Sequence, residues 1–102
     1  MVKMLENKRE AIVQLCIRFG VSRLEVFGSA LRDGFQAENS DIDLLVDFCS
    51  MSPYERADAY FGLLGEFRAL LGVDVDLVVV GAVKNRYIAA DIKRTKQVFY
   101  AA

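Results

Sequence analysis

Two Asp-x-Asp pairs stand out, Asp41 with Asp43 in SDIDLLVDF and Asp74 with Asp76 in VDVDLVVV. Each opens an apolar run rich in β-branched residues, the pattern of a strand. Side chains at i and i+2 of a strand leave by the same face. Asp41 and Asp43 are therefore expected side by side, with Ile42 and Leu44 turned the other way, into a core. Two carboxylates held together repel, and a divalent cation removes the repulsion. A site with oxygen ligands only suits Mg2+ or Mn2+. Either Asp74 or Asp76, set beside the first pair, would complete a three-carboxylate cluster. Such a cluster can hold metal ions and align a hydroxyl with a phosphorus atom, and its third acid can help take the hydroxyl proton. An isolated Asp-x-Asp is more often a solvated strand end; the second pair weighs against that reading here. Asp47 lies on the same face by alternation and is read as a strand-end acid.

Upstream, Gly28-Ser29 closes the short β-type run LEVF at 24–27. Glycine lets a phosphate approach the backbone. Free N–H groups at a helix start, with a serine hydroxyl, make a phosphate site. Arg32 could reach the same phosphates as a charged fork. Most Gly-Ser pairs are ordinary turns, so the weight of this one lies in its position just before a two-acid strand.

These residues need elements to hold them. Residues 3–19 read as a helix, with Leu5, Ile12, Leu15, Cys16 and Phe19 at helical spacing and Gly20 as the cap. A brief helical turn is expected over 29–33, and a loop from Gly34 to Ser40. The 42–48 segment is a strand. Ser52, Pro53 and Glu55 mark the start of a second long helix. Its inner face is expected from Ala57, Tyr60, Phe61, Leu64, Phe67 and Leu71, and Gly72 ends it. Residues 73–80 form a third strand. A last helix is expected from about Lys84 to Tyr100, with Ile88, Ile92, Thr95 and Phe99 inward. The long helix between the second and third strands permits a crossover. The expected fold is a small α/β or α+β layer with a mixed sheet of about three strands.

Composition bounds the function. The 102 residues suit one domain spanning the chain. Apolar types make up 54%, more than so small an interior readily hides, so part of this surface is expected to face a partner or a second copy. Thirteen basic and fourteen acidic residues leave a net charge of −1, which argues against nucleic-acid binding as the main activity. There is no histidine, so histidine triads, His-ligated zinc and imidazole proton shuttles are excluded. Cys16 and Cys49 read as small buried hydrophobes in a reducing compartment. The start, MVKMLENKRE, is too charged for a signal peptide. The apolar run at 77–83 is far short of the ~20 residues a membrane span needs. A cytoplasmic protein with no membrane contact is the expectation.

Taken together, FGSALRDG, SDIDLLV and VDVDLV resemble the minimal nucleotidyltransferase domain of the DNA polymerase beta superfamily, from about Leu24 to Val80. The resemblance implies that Gly28 and Ser29 form the nucleotide-phosphate turn and that Arg32 is the arginine following it. It implies that Asp41 and Asp43 are the metal-binding pair. Asp76, in DLV, matches the third acid better than Asp74. Eleven residues separate Ser29 from Asp41, one more than is common in short antitoxin members, and Asp33 marks the insertion. Larger relatives add domains that hold the acceptor; only one helix's length follows the third strand here, so the acceptor is expected on another chain. Minimal nucleotidyltransferases pair with HEPN toxins, so the resemblance implies an antitoxin that transfers AMP from ATP to a toxin tyrosine. Alternatives are a non-catalytic antitoxin acting by complex formation, or transfer to a small molecule or an RNA end. This chain is not the toxin, whose RNase motif needs a histidine. Lys84, Arg86, Lys93, Arg94 and Lys96 form either a solvated basic face or a contact for a partner or for phosphates.

Overall fold

The computed structural model describes residues 3–28, 42–82 and 86–102, without the side chains of Ile88 and Asp91. The expected brief turn over 29–33 and the loop 34–40 lie outside the described residues.

The N-terminal apolar spacing forms a helix, but in two pieces, α1 (Lys3–Asn7) and α2 (Arg9–Arg18). The break falls at Lys8, whose φ of −110° and ψ of 15° leave the helical basin. Its ammonium donates to the Leu70 carbonyl at 2.9 Å instead, which ties the break to the far end of the next long helix. Gly20 follows with φ 72°, a conformation that glycine adopts freely, and the chain turns into β1 (Val21–Phe27).

β2 (Ile42–Phe48) has the expected bounds, and α3 (Pro53–Leu71) follows it. The Ser52 hydroxyl accepts the Glu55 N–H at 3.2 Å, Pro53 takes the first turn, and Gly72 closes the helix at φ 68°. The buried stripe of α3 is Leu63, Phe67 and Leu71. Phe61, expected inward, is 69% exposed and lies edge-to-face on Tyr60. The stripe is set by the 63–67–71 spacing, and Phe61 falls off it.

β3 (Val75–Val79) pairs parallel to β2, as the α3 crossover allows. The expected last helix is shorter: α4 spans Arg86–Thr95 and the chain then extends as β4 (Gln97–Ala101). Among the described residues the sheet therefore has four strands rather than three, in the order β3-β2-β1-β4, with β1 antiparallel to both neighbours. QVFYA is rich in β-branched and aromatic types, and pairing with β1 overrides any helical continuation. Phe99 is buried as expected, but from a strand. Arg9 covers its ring at 4.1 Å and donates to its carbonyl at 2.9 Å.

The sheet separates two apolar clusters. On one face, Leu24, Val26, Ile42, Leu44, Val46, Val75 and Leu77 meet Leu5, Ile12 and Cys16 of the N-terminal helices and Leu63 and Phe67 of α3. Fully burying one such side chain stabilises by about 1.5–3 kcal/mol. On the other face, Phe27 and Leu45 pack with Ile92 of α4 and with Val78. Cys49 corrects an expectation: it is exposed, since it stands just past the end of β2. Among the described residues no helix is long and apolar enough to cross a membrane.

Candidate functional site

The alternation predicted for β2 holds. Ile42, Leu44 and Val46 enter the larger core, while Asp43 turns to the α4 face with Leu45. The parallel register then pairs Asp43 directly with Asp76 of β3. Adjacent strands run about 4.8 Å apart, so the two side chains leave the same face as neighbours. Asp43 is half-buried and Asp76 exposed, so the pair sits where the sheet opens to solvent.

Asp74 plays a different part. It precedes β3, and its backbone carbonyl accepts the Ile42 N–H at 3.0 Å. That bond helps lock the register in which Asp76 is the partner of Asp43. The choice between Asp74 and Asp76, open from spacing alone, goes to Asp76 for the position beside Asp43.

On the other side of β2, Phe27 is the antiparallel partner of Asp43. Gly28 comes next, with φ 71°. A Cβ placed on Gly28 would run into the Asp43 carboxylate and would lie 3.3 Å from its Cγ. Glycine is therefore required twice, for a left-handed backbone and for close approach to an acid. The Gly28 N–H points at α4 and donates to the Thr95 hydroxyl at 3.2 Å. That N–H is already engaged, and the room left by the missing side chain is taken by the Asp43 carboxylate.

Three neighbours are thus brought together: Asp43, Asp76 and Gly28. Ser29, Arg32 and Asp41 lie outside the described residues. Asp47, read as a strand-end acid, is exposed near the end of β2. Of the basic residues in the last helix, Lys84 is outside the described residues. Lys93 and Lys96 line an open cleft together with Leu45, Ile92, Val80 and Gly81. Lys96 also stands 3.8 Å from the carboxylate of Glu25, a buried acid of β1 that Arg23 meets at 3.2 Å. Tyr87 is 82% exposed, and Tyr100 is half-buried.

The donor set fits a hard divalent cation. Carboxylates on adjacent strands can share one ion, and no imidazole competes for it. Sequence reasoning missed Thr95 as a neighbour of the turn, having placed it simply inward. No local signal marks it, because its meeting with Gly28 spans 67 positions.

The nucleotidyltransferase domain family matches residues 8–99. A relative from Methanocaldococcus jannaschii, provisionally named a protein adenylyltransferase, is 41% identical over 76 residues, covering 74% of each chain. A solved structure provisionally described as a minimal nucleotidyltransferase is 34% identical, covers 95% of each chain and superposes with a TM-score of 0.66. The fold also matches a complex of a tri-AMPylated Shewanella oneidensis HEPN toxin with its MNT antitoxin, at a TM-score of 0.64 and 18% identity. That match covers 95% of this chain and 72% of the other.

Proposed function

Because the chain belongs to the nucleotidyltransferase domain family, we propose that it is a protein adenylyltransferase that moves AMP from ATP to a tyrosine hydroxyl of a HEPN-family toxin and so acts as its antitoxin. The observation that carries this reading is the pairing of Asp43 with Asp76 beside the Gly28 turn. The AMPylated toxin held by an MNT antitoxin of the same fold supports the acceptor class.

Asp41 and Asp43, with Asp76 as the register partner of Asp43, are the residues that would hold Mg2+. Bound there, the cation supplies charge neutralisation at the phosphates and a template for in-line displacement. The chain's own residues do the rest. The Gly28 turn admits the triphosphate, and the Ser29 hydroxyl and Arg32 guanidinium bind its oxygens. The tyrosine oxygen attacks the α-phosphorus as the bond to the bridging β-phosphate oxygen breaks, and pyrophosphate leaves. Asp76, the more exposed of the pair, takes up the hydroxyl proton. The cytoplasm, where ATP and a toxin's RNA targets are found, is the proposed location.

Incubating the chain with its HEPN partner, ATP and magnesium should add adenylate mass to the partner. An Asp43→Asn/Asp76→Asn variant that modifies the partner as fast as wild type would overturn the assignment. Should that variant leave the partner unmodified yet still silence it in a stable complex, neutralisation would proceed by binding alone.

A further inference from the structure

Thr95 sits at the junction of three features that hold the turn. It is the last residue of α4, and its hydroxyl accepts the N–H of the buried Gly28 at 3.2 Å. The next residue, Lys96, closes the helix through its N–H to the Ile92 carbonyl at 2.8 Å and stands 3.8 Å from Glu25 of β1. Gln97 then pairs with Val26, so β4 clamps the end of α4 to the end of β1. Gly28 is thus bounded on two sides, by the Asp43 carboxylate against its Cα and by Thr95 at its N–H.

We propose that Thr95 is a positioning residue for nucleotidyl transfer. Resting on the function proposed above, it acts through Gly28: its hydroxyl orients the Phe27–Gly28 peptide, and so sets the Gly28 turn relative to Asp43 and Asp76. A buried N–H without an acceptor is costly, so the turn has reason to move if the hydroxyl is lost. The β-branched shape of threonine packs either way; the hydroxyl is the part that matters, and serine keeps it.

The test compares wild type, Thr95→Val and Thr95→Ser as full chains, with the HEPN partner present for transfer. Two readouts are used: calorimetric affinity for AMP-PNP with magnesium, and single-turnover AMP transfer at saturating ATP. Misplacing a binding turn slows reactions steeply, so Thr95→Val is expected to lose about tenfold or more in both, on protein that remains folded by circular dichroism. Thr95→Ser is expected to recover most of each. A Thr95→Val protein that melts earlier yet binds and transfers like wild type at low temperature would show a merely structural role and overturn the proposal. If wild type binds AMP-PNP but modifies no partner, the transferase reading fails. Positioning is then judged on affinity alone: weaker binding by Thr95→Val supports it, and equal binding overturns it. If wild type binds no nucleotide, both fall.

Discussion

Asp43 and Asp76 are register partners across the parallel β2–β3 pair, although α3 separates them in sequence. Asp74 contributes its backbone carbonyl to that pairing, through the Ile42 N–H. The carboxylate that neighbours Asp43 is therefore assigned by backbone register, and the pair shares the face on which Gly28 approaches.

The three acids should separate sharply on substitution. Asp76→Asn is expected to cut transfer by about 10²–10⁴-fold, the usual yield of a positioned base. Asp43→Asn should be at least as damaging. Asp74→Asn should leave transfer near the wild-type rate, because a carbonyl is retained. Single-turnover assays of the three variants settle the order, and equal loss from Asp74→Asn would contradict the register.

Gly28→Ala combines a left-handed backbone with a collision against the Asp43 carboxylate. A cost of about 1–3 kcal/mol is expected from the conformation and the contact together. In a domain of this size that corresponds to a fall of at least about 4 °C in melting temperature. The penalty should shrink in an Asp43→Gly background, where the collision is gone and the backbone strain remains. Thermal denaturation of the four-member cycle measures it.

β4 should prove essential to the fold. Phe99 is 5% exposed and joins the same cluster as Leu24 and Val26. Phe99→Ala is expected to destabilise by about 3–5 kcal/mol, a large share of a small domain's total. Val98, its neighbour, is 45% exposed, and Val98→Ala should cost far less. Denaturant melts of the two variants give the contrast.

The two cysteines should behave as opposites. Burial pushes the Cys16 thiol from 9.0 up to about 12, so at neutral pH it stays protonated and shielded. Native protein should alkylate at Cys49, and at Cys16 only on unfolding, as peptide mass mapping would show. The raised value also sets a sign. The neutral thiol's contribution to stability is complete below about pH 9 and is lost as pH rises towards 12. Replacing Cys16 by alanine should flatten this alkaline loss, measured by melts at increasing pH.

What the sequence determined by itself is local. The Asp-x-Asp alternation on β2 follows from the two-residue period of any strand, so the face of Asp43 was legible once the strand was. The bounds of α3 were legible for a similar reason: Ser52, Pro53 and Gly72 act on backbone groups within a turn of themselves. The glycine at 28 announced a tight turn, and the acids, the glycine and the absence of histidine pointed to the reaction class.

The tertiary structure decided everything that depends on pairing distant segments. Backbone hydrogen bonds between strands carry no record of side-chain identity, so spacing alone left Asp74 and Asp76 equivalent, and the β2–β3 register separated them. Residues 97–100 continued a helical pattern, and an open edge of β1 and a pocket for Phe99 turned them into a strand. The break at Lys8 depends on a carbonyl in α3. Thr95 reaches Gly28 only because β4 brings the end of α4 back to β1. These contacts are chosen by the burial of distant side chains against one another, a global sum to which no short stretch of sequence has access.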